Sequence, residues 1–362
     1  MRILILANID MGLYKFRKEL LEELIKQHEV FICVPDGEYV NKMEAMGCRF
    51  IPCNVLDRRS TNPIKDLKLI KFYKETLIKV SPDVVLTYTI KPNVYGGWVC
   101  RKQKIPYLPN ITGLGTTIEN GGILAKISIA LYKIGLKKAS CVFFQNRNNQ
   151  KLFVDKSIVK GNSILIPGSG VNLEMHKFES YPEENECLRF LFVGRIMKDK
   201  GIEELLSAIK TLHEEDERIV LDVVGFCDED YLEELKQAEA EGNIVFHGTQ
   251  SDVHPFYKRC NCTVLPSYHE GMANVMLESS ATGRPVITTT VPGCIETFDE
   301  GVTGFGCEAK STESLLNAMR KFIALPYADK AAMGANARKK MEEEFDRQIV
   351  IDAYNNEIKA CS

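Results

Sequence analysis

Short runs that are apolar at nearly every position recur along this chain. RILILAN, EVFICVP, DVVLTYT, ASCVFFQN and SILIPG lie in the first half; RFLFVG, IVLDVVG, IVFHG, CTVLPS and RPVITTT lie in the second. A strand wetted on one face alternates apolar and polar residues. These runs do not alternate, so both of their faces must be covered. Amphipathic stretches lie between them, such as YKFRKELLEELIKQ, with Phe16, Leu20, Leu21 and Leu24 at helical spacing, and GIEELLSAIKTLHEE. Buried strands alternating with helices predict parallel sheets clad on both sides. The series occurs twice, interrupted by the polar FESYPEENE, and 362 residues are more than one ordinary core takes up. The expectation is two α/β domains, 1–175 and 176–345, joined near 175–188, with a last helix over 346–362 packing back on the first.

Charge is divided along the same line. Residues 1–172 hold 26 Lys and Arg against 14 Asp and Glu, a net of +12, and the remainder holds 20 against 35, a net of −15. Such asymmetry predicts an anionic partner for the first half. Nucleic acid is not expected, because the basic segments carry few interleaved aromatics and no recognised binding module. The twelve cysteines are scattered without a Cys-x-x-Cys, and Cys260 and Cys262 are too close for the usual zinc spacing. They read as buried, reduced thiols of a cytoplasmic protein. No run is long and apolar enough for an export signal or a membrane span.

Two motifs carry chemistry. In FVGRIMKDKGIEELL a strand ends at Gly194, and Arg195 and Lys200 occupy the loop before a helix, where two cations can neutralise a diphosphate. The alternative is a solvated loop whose Lys198, Lys200 and Arg195 pair with Asp199 and Glu203. In HEGMANVMLESSATG a helix is expected to begin near Ala273, with Gly271 making a tight turn and free N–H groups over Met272–Val275. Glu270 then lies before the helix and Glu278 on it, on the order of 10 Å apart at the ~1.5 Å rise per residue of a helix. That spacing suits a nucleotide sugar; the alternative is a pair of ordinary helix acids. The DED at Asp228–Asp230 reads as a helix start rather than a metal site. His247 is a candidate to approach a base or sugar and His269 to line the cleft, with satisfied loop histidines as the alternative for both, and His28, His176, His213 and His254 are surface candidates.

The order G-R-x4-K-G, E-G-M-x-N-x3-E, G-x-P-V-I-T and VPGCIETFDEGVTGF resembles the donor domain of the retaining GT-B glycosyltransferases of family four, over residues 188–345. The resemblance implies a fold of two Rossmann-like domains whose parallel sheets face each other across a cleft. It implies that Arg195 and Lys200 hold the donor diphosphate and that Glu270 bonds the sugar hydroxyls. It also implies that Gly271, Met272, Ala273 and Asn274 line sugar and phosphate, and that Glu278 bonds the ribose. No cofactor or metal is expected, and the donor is a UDP-sugar, with an N-acetylhexosamine or galactose favoured. TYTIKPNVYG and NITGLGT look like the subgroup that builds capsule, O-antigen and lipid-linked oligosaccharides, which implies a polyprenyl-diphosphate-linked saccharide as acceptor. A histidine that many members carry after the strand DVVLTYT is absent here, and Lys91 and Asn93 stand as candidates in its place. Thr112, Gly113 and His269 complete the acceptor or cleft set, and Gly12, the one glycine left in the turn after the first strand, is a donor-binding candidate that lets the backbone approach the phosphates, a plain turn being the alternative.

The stretches Lys65–Lys79 and Lys126–Lys138 interleave lysines with apolar residues, a pattern suited to peripheral attachment at the inner face of the cell membrane. The alternative is core-covering helices with snorkelling lysines. Competing functions are a nucleotide-sugar epimerase of the same fold and a non-catalytic sugar-nucleotide scaffold at the membrane. A dinucleotide oxidoreductase is disfavoured because LANIDMGLYKF lacks G-x-G-x-x-G.

Overall fold

The structure is a computed structural model that describes residues 1–57, 60, 62–113, 122–184 and 187–361. The chain forms two compact units, 1–169 with 348–362, and 170–347.

The first unit is built from β1 (Arg2–Leu6), α1 (Asp10–Ile25), β2 (Glu29–Val34), α2 (Val40–Met46), β3 (Arg49–Pro52), α3 (Pro63–Val80), β4 (Val84–Tyr88), α4 (Gly97–Gln103), β5 (Tyr107–Ile111), α5 (Gly122–Gly135), β6 (Val142–Phe144), α6 (Arg147–Asp155) and β7 (Ser163–Leu165). Its strands make one parallel sheet in the order β3-β2-β1-β4-β5-β6-β7. The unbroken apolarity of RILIL now has its cause. Ile3 and Ile5 enter one core with α1, while Leu4 and Leu6 enter another with Leu69, Tyr73 and Leu77 of α3. Asn62 caps α3 by accepting the Ile64 N–H at 2.9 Å, and Pro63 at the first helical position needs no N–H partner.

The second unit comprises β8 (Leu188–Val193), α7 (Ile202–Glu215), β9 (Ile219–Val224), α8 (Leu232–Ala240), β10 (Ile244–Phe246), α9 (His254–Arg259), β11 (Cys262–Leu265), α10 (Asn274–Ala281), β12 (Val286–Thr289), β13 (Gly304–Cys307), α11 (Thr312–Ile323) and α12 (Tyr327–Glu344). Its parallel sheet runs β10-β9-β8-β11-β12-β13. α13 (Arg347–Ala360), apart from its first residue, belongs to the first unit, where the Tyr354 ring lies 4.2 Å from Phe143 and 6.2 Å from Tyr88.

The polar stretch read as a joint is instead part of the second unit. Tyr181 donates to the Asn261 carbonyl at 3.0 Å, and the fully buried Arg284 donates to the carbonyls of Glu179 and Ser180 at 3.0 and 2.8 Å. The chain changes unit at 169–170 and 347–348. The four histidines assigned to the surface are not exposed. His176 is buried, and His28, His213 and His254 are half-buried, the last two bonded to the Ile219 carbonyl and Glu179.

Nine of the twelve cysteines are buried, and burial pushes thiols such as Cys48 and Cys260 up to about 11. They pack as small apolar groups and are poor nucleophiles.

Removing an aromatic ring from a filled core costs about 3–5 kcal/mol. Tyr354→Ala is therefore expected to destabilise the first unit by about that amount in urea unfolding, leaving the transition of the second unit in place.

Candidate functional site

Ligands of open parallel sheets bind beyond the carboxyl ends of the strands, where strand order reverses. In the second unit the reversal lies between β8 and β11, and the sequence motifs fall on its two sides. After β8 come Gly194, Arg195 and a single helical turn over Lys198–Lys200. Gly201 closes that turn with φ +71; a Cβ there would stand 2.2 Å from the Pro266 carbonyl oxygen, so the turn lies directly on the loop that follows β11. The Asp199 carbonyl accepts the Tyr268 N–H at 2.9 Å and the Ser267 hydroxyl at 3.2 Å, fastening the two loops together.

This closeness pairs Lys200 with Glu270. Their side chains are 18% and 14% exposed, which screens the pair from water while leaving it within reach of a ligand. Arg195 is 45% exposed and donates to Asp228 at 2.7 Å. Glu229 accepts the Lys198 N–H at 2.7 Å, and the Lys198 ammonium lies 3.1 Å from Glu203. The solvated-loop alternative is met by Lys198 with Glu203, whereas Arg195 and Lys200 take Asp228 and Glu270 instead. Asp228 and Glu229 bond this loop, in addition to preceding a helix. His269 lies 3.7 Å from Asp199 and is half-buried.

The loop after β11 departs from expectation in two ways. α10 begins at Asn274, and two of the N–H groups expected to be free are used locally: Ala273 donates to the Gly293 carbonyl at 2.8 Å and Asn274 to that of Met272 at 3.0 Å. The tight glycine is Gly293 rather than Gly271. Gly293 has φ +86, and a Cβ on it would lie 2.5 Å from the Glu270 carbonyl oxygen. Met272 and Ala273 are buried, at 6% and 2% exposure, so their side chains offer almost no surface to a ligand. Glu278 is half-buried and accepts the hydroxyl of the buried Tyr257 at 2.9 Å, which fixes its carboxylate on α10; burial first, and then Glu278, pushes the Tyr257 hydroxyl well above its usual range.

Beside this loop the ends of β8, β9 and β10 are followed by Gly194, Gly225 and Gly248. Gly225 donates to the Gly248 carbonyl at 2.9 Å, and a Cβ on Gly225 would lie 1.7 Å from the Gly194 carbonyl oxygen. The strand ends therefore form a floor of bare backbone. His247 does not face it. Its Nε2 lies 2.7 Å from Asp222, a fully buried carboxylate in β9 that also accepts from Arg259 at 2.9 Å. A buried carboxylate is stable only when paired, so His247 is held away from the base or sugar it was expected to approach.

In the first unit the reversal lies between β1 and β4. Gly12 is inside α1, where its Cβ position is 3.0 Å from Ile9, so it makes no turn around a ligand. Asn93 is fully buried; it accepts the Thr87 hydroxyl at 2.6 Å and donates to the Asn110 carbonyl at 2.8 Å, which ties β4 to β5 and removes it from any ligand surface. Lys91 lies 2.8 Å from Asp66 of α3, which also accepts the Tyr95 hydroxyl at 2.7 Å. Thr112 and Gly113 are half-buried just beyond β5, and the remainder of NITGLGT lies outside the described residues. Sequence reasoning missed Thr89, a β-branched residue held at φ +71 between β4 and a π-helical turn over Pro92–Gly96. Strain of this kind collects at ligand sites.

Comparison with known proteins agrees with this division. The "Glycosyl transferase 4-like" family model matches residues 2–146, and that of "Glycosyl transferases group 1" matches 175–340. An N,N'-diacetylbacillosaminyl-diphospho-undecaprenol alpha-1,3-N-acetylgalactosaminyltransferase of Campylobacter jejuni is 26% identical over 87% of this chain and 87% of its own length. The capsular polysaccharide biosynthesis glycosyltransferase CapM of Staphylococcus aureus is 26% identical over 90% of this chain and 88% of its own. Among solved structures, Anabaena HepE in complex with UDP and glucose superposes with a TM-score of 0.79 at 17% identity, covering 99% of each chain. With the two family matches falling on its two parallel-sheet units, the chain belongs to the glycosyltransferases of GT-B fold, the group 1 and family-four-like transferases that include capsule and lipid-linked oligosaccharide enzymes.

Proposed function

We propose that the protein transfers a sugar, an N-acetylhexosamine or galactose, from a UDP-sugar to a polyprenyl-diphosphate-linked saccharide, with retention of anomeric configuration and without a metal ion. The observation that carries this reading is the half-buried Lys200–Glu270 pair at the strand-order reversal of the second unit, beside the glycine floor and Arg195. The named activity of the Campylobacter relative supports the lipid-linked acceptor and the N-acetylhexosamine.

In this mechanism Arg195 and Lys200 bind the donor diphosphate, Glu270 accepts from donor sugar hydroxyls, and Glu278 accepts from the ribose. As the bond from the anomeric carbon to the phosphate oxygen breaks, negative charge grows on the diphosphate, and the two fixed cations stabilise it more strongly than they stabilise the ground state. The acceptor hydroxyl attacks from the face the diphosphate leaves, and its proton passes to the departing phosphate oxygen. Glu270 has a prior engagement with Lys200 and a role at the hydroxyls, so it is not assigned as a covalent nucleophile.

The basic helices of the first unit supply a membrane-facing surface in this reading. α3 buries Leu69, Tyr73 and Leu77 but exposes Ile64, Leu67 and Ile78 at 65%, 65% and 62%, among Lys65, Lys68, Lys71, Lys74 and Lys79. α5 exposes Leu124, Ile127 and Ile134, with Lys126, Lys133, Lys137 and Lys138 close by. The core-covering alternative accounts for the inner faces of these helices and leaves the outer apolar residues unexplained. Among the described residues no helix is long and apolar enough to cross a membrane, so attachment by these faces is peripheral.

Replacing either cation by a neutral group, Arg195→Gln or Lys200→Gln, is expected to lower kcat about 10²–10³-fold, the usual consequence of removing a charge-stabilising donor. Product mass from a panel of UDP-sugars with a lipid-diphosphate sugar acceptor reads both donor and acceptor; conversion of the donor without transfer would favour the epimerase, and no turnover the scaffold. A glycosyl adduct trapped on Glu270 would replace same-face attack by double displacement. The protein is expected to float with anionic liposomes at low salt and to be released at high salt; indifference to vesicles in both conditions would remove the membrane surface from the account.

A further inference from the structure

The first unit contains a buried cation without a counterion. Arg17, in the second turn of α1, is 4% exposed. Helical side chains lean toward the helix N-terminus, which carries this guanidinium back over the carboxyl edge of the sheet. There it lies 5.3 Å from the ring centre of Tyr88, the last residue of β4. Its one hydrogen bond runs from Nη1 to the Phe16 carbonyl at 3.1 Å, and among the described residues no carboxylate pairs with it. Three of the four acids of its own helix have partners at stated distances: Asp10 accepts the Tyr39 N–H at 2.8 Å, Glu22 lies 3.5 Å from Lys18, and Glu23 2.7 Å from Lys26. An arginine cannot shed its charge, and a ring face with one carbonyl recovers less than such burial costs.

Tyr88 carries a second unmet requirement. Its hydroxyl is buried and makes no hydrogen bond of good geometry, with the Arg17 guanidinium and the Tyr354 hydroxyl as the polar groups beside it. The guanidinium keeps spare N–H groups, and the hydroxyl beside it makes no well-formed hydrogen bond. They meet at the reversal between β1 and β4, the position in this sheet where a ligand is expected. The next residue is Thr89, whose backbone is strained at φ +71.

We propose that Arg17 and the Tyr88 hydroxyl bind one oxyanion of the acceptor, a phosphate or a sugar carboxylate, at the strand-order reversal of the first unit. The assignment of the anion to the acceptor rests on the transferase reading; the anion site itself does not. The planar fork of arginine suits both oxyanions, donating through two parallel N–H groups while Tyr88 donates to a third lone pair.

The test uses the full chain with UDP saturating the second unit, so that added anions report on the first. Inorganic pyrophosphate and glucuronate are titrated separately against the native protein, Arg17→Met, Arg17→Lys and Tyr88→Phe. The native protein is expected to bind one of them, with affinity falling at least tenfold in Arg17→Met and less in Arg17→Lys and Tyr88→Phe. Pyrophosphate binding identifies the lipid diphosphate as the source, and glucuronate binding an acidic saccharide. Without ligand, Arg17→Met is expected to unfold at the same or a higher temperature than the native protein, because it removes an uncompensated buried charge while nearly keeping volume. Equal anion affinity in native and Arg17→Met protein, or no binding of either anion, overturns the site. A lower unfolding temperature for ligand-free Arg17→Met shows instead that the guanidinium is already satisfied, and overturns it as well. Because these readouts need no transfer, they stand apart from any failure of the glycosyltransferase reading, which turnover on the donor and acceptor panel decides.

Discussion

Lys200 and Glu270 are 70 residues apart in sequence and are brought together because β8 and β11 are neighbours where the strand order of the second unit reverses. The rest of the site depends on that pairing. Gly201 lets the Lys200 turn lie on the Pro266 carbonyl, Gly293 lets the chain pass under Glu270, and the Asp199 carbonyl joins the two loops. The pair also places two opposite demands at one point. In the proposed mechanism a diphosphate takes the ammonium and a sugar hydroxyl takes the carboxylate, so a donor that offers both partners replaces that bond. On that reading the site discriminates a nucleotide sugar from either of its halves.

The first unit has a counterpart with a different balance. Its reversal also bears a cation, Arg17, which among the described residues pairs with no carboxylate and lies beside a strained Thr89 and the buried Tyr88 hydroxyl. Burial without a partner lowers stability, and proteins accept that at ligand sites. The net charge of +12 over residues 1–172 acts in the same direction: the lysines of α3 and α5 lie on exposed faces, with Lys65 paired to Asp57 and Lys71 near Glu75.

Much of this was readable before any coordinates. Continuous apolar runs specify strands covered on both faces, because Ile3 and Leu4 must each find a different core. The place of Arg195, Lys200 and Glu270 was legible because they lie on the loops that follow β8 and β11, at the carboxyl edge of the sheet. Their partners were not. Asp228 for Arg195, Tyr257 for Glu278 and Asp222 for His247 are set by which strand ends lie side by side, which local pattern does not encode. Gly12 and Asn93 misled for a related reason. A glycine and an asparagine after strands suggest turns and ligand contacts, whereas here one is taken into α1 and the other is consumed in linking β4 to β5. The boundary near 175–188 misled because a polar stretch can be buried when an arginine such as Arg284 collects its carbonyls.

The most direct test of the central claim is the affinity for UDP measured in Glu270→Gln. If Glu270 holds Lys200 until a diphosphate takes its place, the neutral amide releases the ammonium, and UDP binds more tightly than to the native protein while turnover of the UDP-sugar falls. Weaker UDP binding in Glu270→Gln would mean that the carboxylate positions Lys200 for the diphosphate rather than competing with it, and would contradict the account.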